Sequence, residues 1–217
     1  MSLYAWAVRD GDVTSFCQGN FDYDRDVDGT DAFVFKKHFG RSQIHTPCPP
    51  DGPAPVERTW QSISYAYGDD GWYYNGVHWG GDRFTDNGNG TITDGLTGLI
   101  WLKEANCFGQ VNWSDALVLA NALANGSCGL TDGSIPGSWR LPNVKEMTSL
   151  VDYDYVNPAM YAWQFFNNVQ SAFYWSSTTR ADDTDGAWYV GMYGGSVNYA
   201  VKTSMVYVWP VHGGRNW

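Results

Sequence analysis

The chain has 217 residues, 43% of them hydrophobic and 17% charged, which suits a globular protein with one sizeable core and at most a small appendage. No apolar run approaches the roughly 18 residues needed to cross a bilayer. The formal charge of −10 disfavours nucleic acid and anionic lipid as partners, because both are polyanions.

In chain order, residues 1–50 come first and are acidic. Met1-Ser2-Leu3 has no charged and apolar leader pattern and reads as a remnant in place of a signal peptide. The string Asn20 to Asp31 follows. Calcium takes about six to eight oxygen ligands, and the roughly 12-residue loop that supplies them uses positions 1, 3, 5, 7, 9 and 12. Counting from Asn20 places Asn20, Asp22, Asp24, the Asp26 carbonyl, Asp28 and Asp31 there, with Val27 as the apolar anchor. The register that starts at Asp24 gains Gly29 at the turn but ends on Phe35, whose ring cannot ligate. The first register therefore predicts a Ca2+ site, against the competing reading of a solvated acidic loop. Arg25 at the turn position and the short Asp31 in last place both predict weak binding. With the amphipathic run Ala32, Phe35, Phe39 and the stop Gly40, the segment resembles one EF-hand-like calcium repeat of dockerin modules. Only one repeat is present, so docking of the dockerin kind is not implied.

Four cysteines allow three pairings. Their grouping favours Cys17–Cys48 and Cys107–Cys128, each closing a local loop, with free buried thiols as the alternative. Prolines 47, 49, 50, 53 and 55 mark a linker over 51–63 that can be neither helix nor central strand.

From 64 to 217 the chain is rich in aromatics and glycine. An Asp86-Asn87-Gly88-Asn89-Gly90 turn reverses it between Phe84 and Ile92. The Asp and Asn oxygens of that turn, with Asp94, are alternatively the makings of a second ion site. Strands are predicted at 91–93, 98–102, 173–178, 187–193, 196–202 and 205–211. Ala116, Leu117, Ala120, Leu123 and Ala124 share one face of a helix that begins after Asn112. A second helix is capped by Asn143, with Glu146 in capping-box position and Met147 and Leu150 facing inward. Helices among short antiparallel sheets, without a βαβ rhythm, make the class α+β.

The segments SYAYGDDG (64–71), RFTDNGNGTITDGLTGLIWLKEANC (83–107), SWRLPNVKEMTSLVDY (138–153), NPAM (157–160), FYWSSTT (173–179) and VWPVHGG (208–214) occur in one order. In this they resemble the C-terminal domain family of Legionella collagen-like surface proteins. The resemblance implies a C-type-lectin-like fold, a shape related to formylglycine-generating enzymes, and roles in adhesion and glycan binding. The reactive cysteine pair of those enzymes lies late in the domain, whereas Cys107 and Cys128 come early and read as structural.

His38, His45, His78 and His212 form no metal motif, and neither a GxSxG elbow nor a phosphate loop is present. Asp152/Asp154 and Asp182/Asp183/Asp185 are carboxylate groupings placed by this reading on solvated loops. Binding without catalysis is therefore expected, outside the cell or on its surface, with the periplasm as the other compartment. Trp188, Tyr189, Tyr193, Asn198, Tyr199 and Lys202, with Asp185 nearby, are the predicted ligand contacts, since rings stack on sugars while amides bond hydroxyls. Trp72-Tyr73-Tyr74-Asn75 with His78-Trp79 is a second aromatic candidate. The expected partner is a glycan or a surface protein. Sulfated chains are opposed by the net charge unless Lys103, Arg180, Lys202 and Arg215 cluster. A structural, protein-contacting module of the envelope, self-association included, is the other function class.

Overall fold

The computed structural model describes residues 56–73, 76 and 83–213. Its first hairpin begins where the Asn-Gly run demands one. Strand β1 (Phe84–Asp86) pairs antiparallel with β2 (Thr91–Asp94), with Phe84 opposite Asp94 and Asp86 opposite Ile92. Gly88 and Gly90 take positive φ in the turn between them. Gly90 has a second reason to be glycine: a Cβ there would lie 2.4 Å from the Gly129 carbonyl oxygen.

Strand β3 (Leu99–Leu102) extends this sheet. The chain then makes β4 (Gln110–Val111) and later β5 (Trp139–Arg140), β6 (Phe173–Thr179), β7 (Gly186–Gly191), β8 (Ser196–Val201), β9 (Val206–Tyr207) and β10 (Val211–Gly213). One sheet has the order β1-β2-β3-β10-β5 and the other β4-β9-β6-β7-β8. The single strand predicted over 205–211 is two strands in two different sheets. Pro210 lies between them; it has no N–H to give a ladder, and its carbonyl accepts from Leu102 N at 3.2 Å. The neighbouring Trp209 indole donates to Leu102 O at 2.8 Å, which fixes the crossing.

Among the described residues the helices are α1 (Asp70–Tyr73), α2 (Trp113–Ala122), α3 (Val144–Thr148) and a 3-10 turn at Tyr161–Phe165. Asn112 caps α2 by accepting from Asp115 N. Ala116, Ala120 and the following Leu123 are buried, as the helical spacing predicts. Small alanines let α2 lie close on the second sheet, where they join Leu141, Trp175, Ala187, Val206 and Val208 in one apolar cluster. The predicted capping box is formed at α3, although that helix is little more than one turn. These elements make the fold α+β.

The larger core is aromatic. Trp209 packs edge-on against Phe166 at 4.9 Å and against Trp101 at 5.8 Å, and Tyr174 joins them. Trp101, Trp139, Trp175 and Trp209 are all fully buried, so these four of the 12 tryptophans are core rather than display. Segment 56–63 is tied to this body: Glu57 pairs with Arg83 at 2.6 Å, Tyr153 N donates to Thr59 O, and Ser62 N donates to the Asp154 carboxylate. Among the described residues, no helix is long and apolar enough to cross a membrane.

Candidate functional site

The predicted ligand contacts fall on a hairpin and divide between its two faces. Directly opposed residues of an antiparallel pair share a face, and neighbours along a strand alternate. Trp188 opposes Tyr199, so these rings meet on one face, 6.0 Å apart. Tyr189 opposes Asn198 on the other face, where Tyr189 stacks on Phe173 at 4.6 Å and Phe173 meets Tyr193 at 5.7 Å. The Lys202 ammonium lies over the Trp113 ring at 4.1 Å. The six residues are therefore two sets, with Trp188, Tyr189 and Lys202 half-buried and Tyr193, Asn198 and Tyr199 exposed. The period of a strand separates what proximity in sequence suggested was one constellation.

Lys103 and Arg180 are each engaged by a carboxylate. Lys103 is held by Asp86 at 2.6 Å, while Arg180 is forked onto Asp182 and lies 3.8 Å over the Tyr199 ring. Arg140 is bidentate to Glu146 and also donates to Gly213 O. Asp94, weighed above as part of a second ion site, is instead fully buried and bidentate to Arg83. Asp152 is also buried rather than solvated: short backbone bonds fold its neighbours around it, including Asp154 N to its Oδ1. Asp182, Asp183 and Asp185 are exposed, as predicted.

Two shallow hollows lie elsewhere. The first, about 490 Å³, is lined by Pro158, Trp163, Phe166, Asn167, Asn168 and Val169. A second hollow of about 350 Å³ adjoins it through Asn167 and is walled by Asp86, Gly90, Lys103, Glu104 and Gly129. Backbone bonds build the junction. Asn167 N donates to Lys103 O and Ala105 N donates to Asn167 O, fastening the segment after the 3-10 turn alongside the end of β3. Below it, Gln170 N donates to the Tyr174 hydroxyl, whose pKa burial pushes up, so this phenol stays neutral. The second wall is backbone on backbone. Lys103 N reaches Gly90 O, Thr131 N reaches Asn89 O, and the Cys107–Cys128 disulfide holds the loop, with Cys128 itself in the lining.

Three side chains carry the groove's chemistry. Trp163 is 54% exposed, a large ring left in water. Asn168 spends its amide N–H groups on Glu104, at 2.9 and 3.0 Å, which leaves its oxygen to accept. Among the described residues, nothing hydrogen-bonds the side-chain amide of Asn167. No described group of three or more His, Cys, Asp or Glu is placed to share a metal ion. Sequence reading missed this groove. The available signal was an exposed-type Asn-Asn pair directly after an aromatic run, YAWQFFNN (161–168).

The sequence profile of the Lcl C-terminal domain matches residues 90–212. The chain belongs to the Lcl C-terminal domain family. The matched span takes in Lys103, Glu104, Trp163, Asn167 and Asn168 and both predicted sets on the β7–β8 hairpin. No curated protein matches the chain. Cys107–Cys128 is the pairing that the sequence favoured. Other predicted residues lie outside the described ones: Cys17 and Cys48, the calcium ligands Asn20, Asp22, Asp24, Asp26, Asp28 and Asp31, and Tyr74, Asn75, His78, Trp79 and Arg215. Trp72 and Tyr73 are described and exposed, with Trp72 against the Tyr67 ring.

Proposed function

We propose that this protein is a secreted or surface-attached binding module of C-type-lectin-like architecture, working in adhesion by recognising glycan rather than by catalysis. The observation that carries the reading is the exposed Trp163 ring beside the unspent amide of Asn167 in an open groove. A sugar offers an apolar face to the ring and hydroxyls to the amide, so the pair suits that ligand chemistry. Family membership agrees with this reading without deciding the ligand. Trp163→Ala should weaken glycan binding by roughly tenfold or more, the loss of about 1.4 kcal/mol. Tyr199→Ala, on the β7–β8 hairpin, should leave it within about twofold. Titration calorimetry against an oligosaccharide panel checks both; the reverse ranking would move the site to the hairpin.

Calcium bound at Asn20–Asp31 stabilises the N-terminal segment in this proposal. Its test is thermal unfolding with calcium and with chelator, where a clear rise in midpoint with calcium is expected. A second reading, a protein-contacting module, draws on one feature. Strand β8 is a sheet edge that exposes Val197, Tyr199 and Val201 on one face. Sedimentation distinguishes it: a stable homo-oligomer disrupted by Tyr199→Lys would favour this reading over the first.

A further inference from the structure

We infer that the two hollows act as one continuous subsite for an uncharged glycan chain of more than one ring, selective against sulfated and carboxylated chains. This rests on the proposed glycan reading and adds the ligand's class. Three observations carry it.

The first is adjacency. Asn167 lines both hollows, so a chain of more than one ring stacked on Trp163 is aimed past that amide towards Asp86 and Glu104. The wall beyond Asn167 contains Gly88, Gly90 and Gly129, which present backbone and no side chain to an arriving ring. Gly90 is fixed as glycine by the closeness of Gly129 O, so the bare wall is built into the fold.

The second is charge. The hollow beyond Asn167 holds two carboxylates, Asp86 and Glu104, against one ammonium, Lys103. That ammonium is already bonded to Asp86 at 2.6 Å. The Glu104 carboxylate is held by the Asn168 amide, an uncharged donor, and keeps its negative charge unneutralised. A sulfate entering here would meet net negative charge on a molecule of net charge −10. The third is the bonding capacity left over. The Asn167 amide and the Asn168 oxygen together donate and accept, which hydroxyl and acetamido groups answer and an acceptor-only sulfate does not.

The test compares uncharged tetrasaccharides of glucose, mannose, galactose and N-acetylglucosamine with heparin and chondroitin sulfate tetrasaccharides, using the full chain. At least one uncharged probe should bind, roughly tenfold or more tighter than either sulfated one, with an affinity that does not fall between about 50 and 500 mM salt. Trp163→Ala should remove that binding. Glu104→Gln, with folding confirmed by an unchanged near-ultraviolet spectrum, should tighten the sulfated probes. Sulfated binding that is the tighter, sensitive to Trp163→Ala and weakened by salt, would overturn this inference and leave the groove as the glycan site. Failure of every probe to bind would overturn the glycan reading itself, and this inference with it.

Discussion

Asp152 is 8% exposed, accepts the Asp154 N–H at 2.9 Å, and feels both the Asp154 carboxylate and the Arg83 guanidinium. Loss of water outweighs the favourable contacts and raises its pKa from the ordinary 3.8 to about 6. A carboxyl whose folded pKa is raised binds its proton more tightly in the folded state. Its stabilising effect is complete below about pH 4 and is lost as pH rises through 6. Asp152→Asn keeps an acceptor oxygen for Asp154 N and removes the charge. It should therefore stabilise the protein at pH 8, by on the order of 2 kcal/mol, and leave it unchanged near pH 4. Urea midpoints at the two pH values check this, and a variant weaker at pH 8 would mean that attraction to Arg83 outweighs burial. Some slope should remain in the variant, because burial also raises Glu57. None of this was legible in the sequence: Asp152 and Asp154 look like a solvated pair until the fold buries Asp152 and brings Arg83 near it. Local capping was legible, as Asn143 and Glu146 show, because three residues across a helix entry leave little choice of geometry.

At the scale of elements, the signals that held were those in which a side chain satisfies its own neighbourhood. Asn143 accepts from Lys145 N and Glu146 N, while Glu146 reaches back to Asn143 N at 2.8 Å. A helix as short as α3 has few internal bonds, so its caps carry a large share of its order. Asn143→Ala should cost about 1 kcal/mol, and Asn143→Asp should recover most of it. Equal stability of the Ala variant in chemical unfolding would show that α3 is held by the burial of Met147 alone. Strand positions at β2, β3, β6, β7 and β8 followed from alternation and turn residues. The failures were where tertiary contact decides: β4 and β5 are two residues each and exist only through their partners, and Pro210 splits one apparent strand between two sheets. The groove escaped for the same reason, since Asn167 and Lys103 meet only after the chain returns across 64 residues.

For the molecule as a whole, short strands and long loops leave much chain unpaired by sheet bonds, and the Cys107–Cys128 bridge constrains one such stretch. It closes 21 residues of sequence that include β4, α2 and the loop leading to the groove wall at Gly129. In the unfolded chain a cross-link of this span removes closure entropy worth about 3 kcal/mol. For a protein of this size, that converts to a fall in midpoint of roughly 10 °C when both cysteines become serine. The bridge also has a local effect, which separates two outcomes. Gly90 and Gly129 touch backbone to backbone, so loosening the loop around Cys128 frees the wall that the glycan chain follows. Cys107→Ser with Cys128→Ser should therefore lower the unfolding midpoint and, well below that midpoint, weaken the binding of uncharged tetrasaccharide several-fold. A lower midpoint with unchanged affinity would confine the bridge to the unfolded ensemble. Loss of affinity in that variant, with Trp163 fluorescence unchanged, would place the defect at the Gly129 wall and extend the ligand beyond the ring that stacks on the tryptophan.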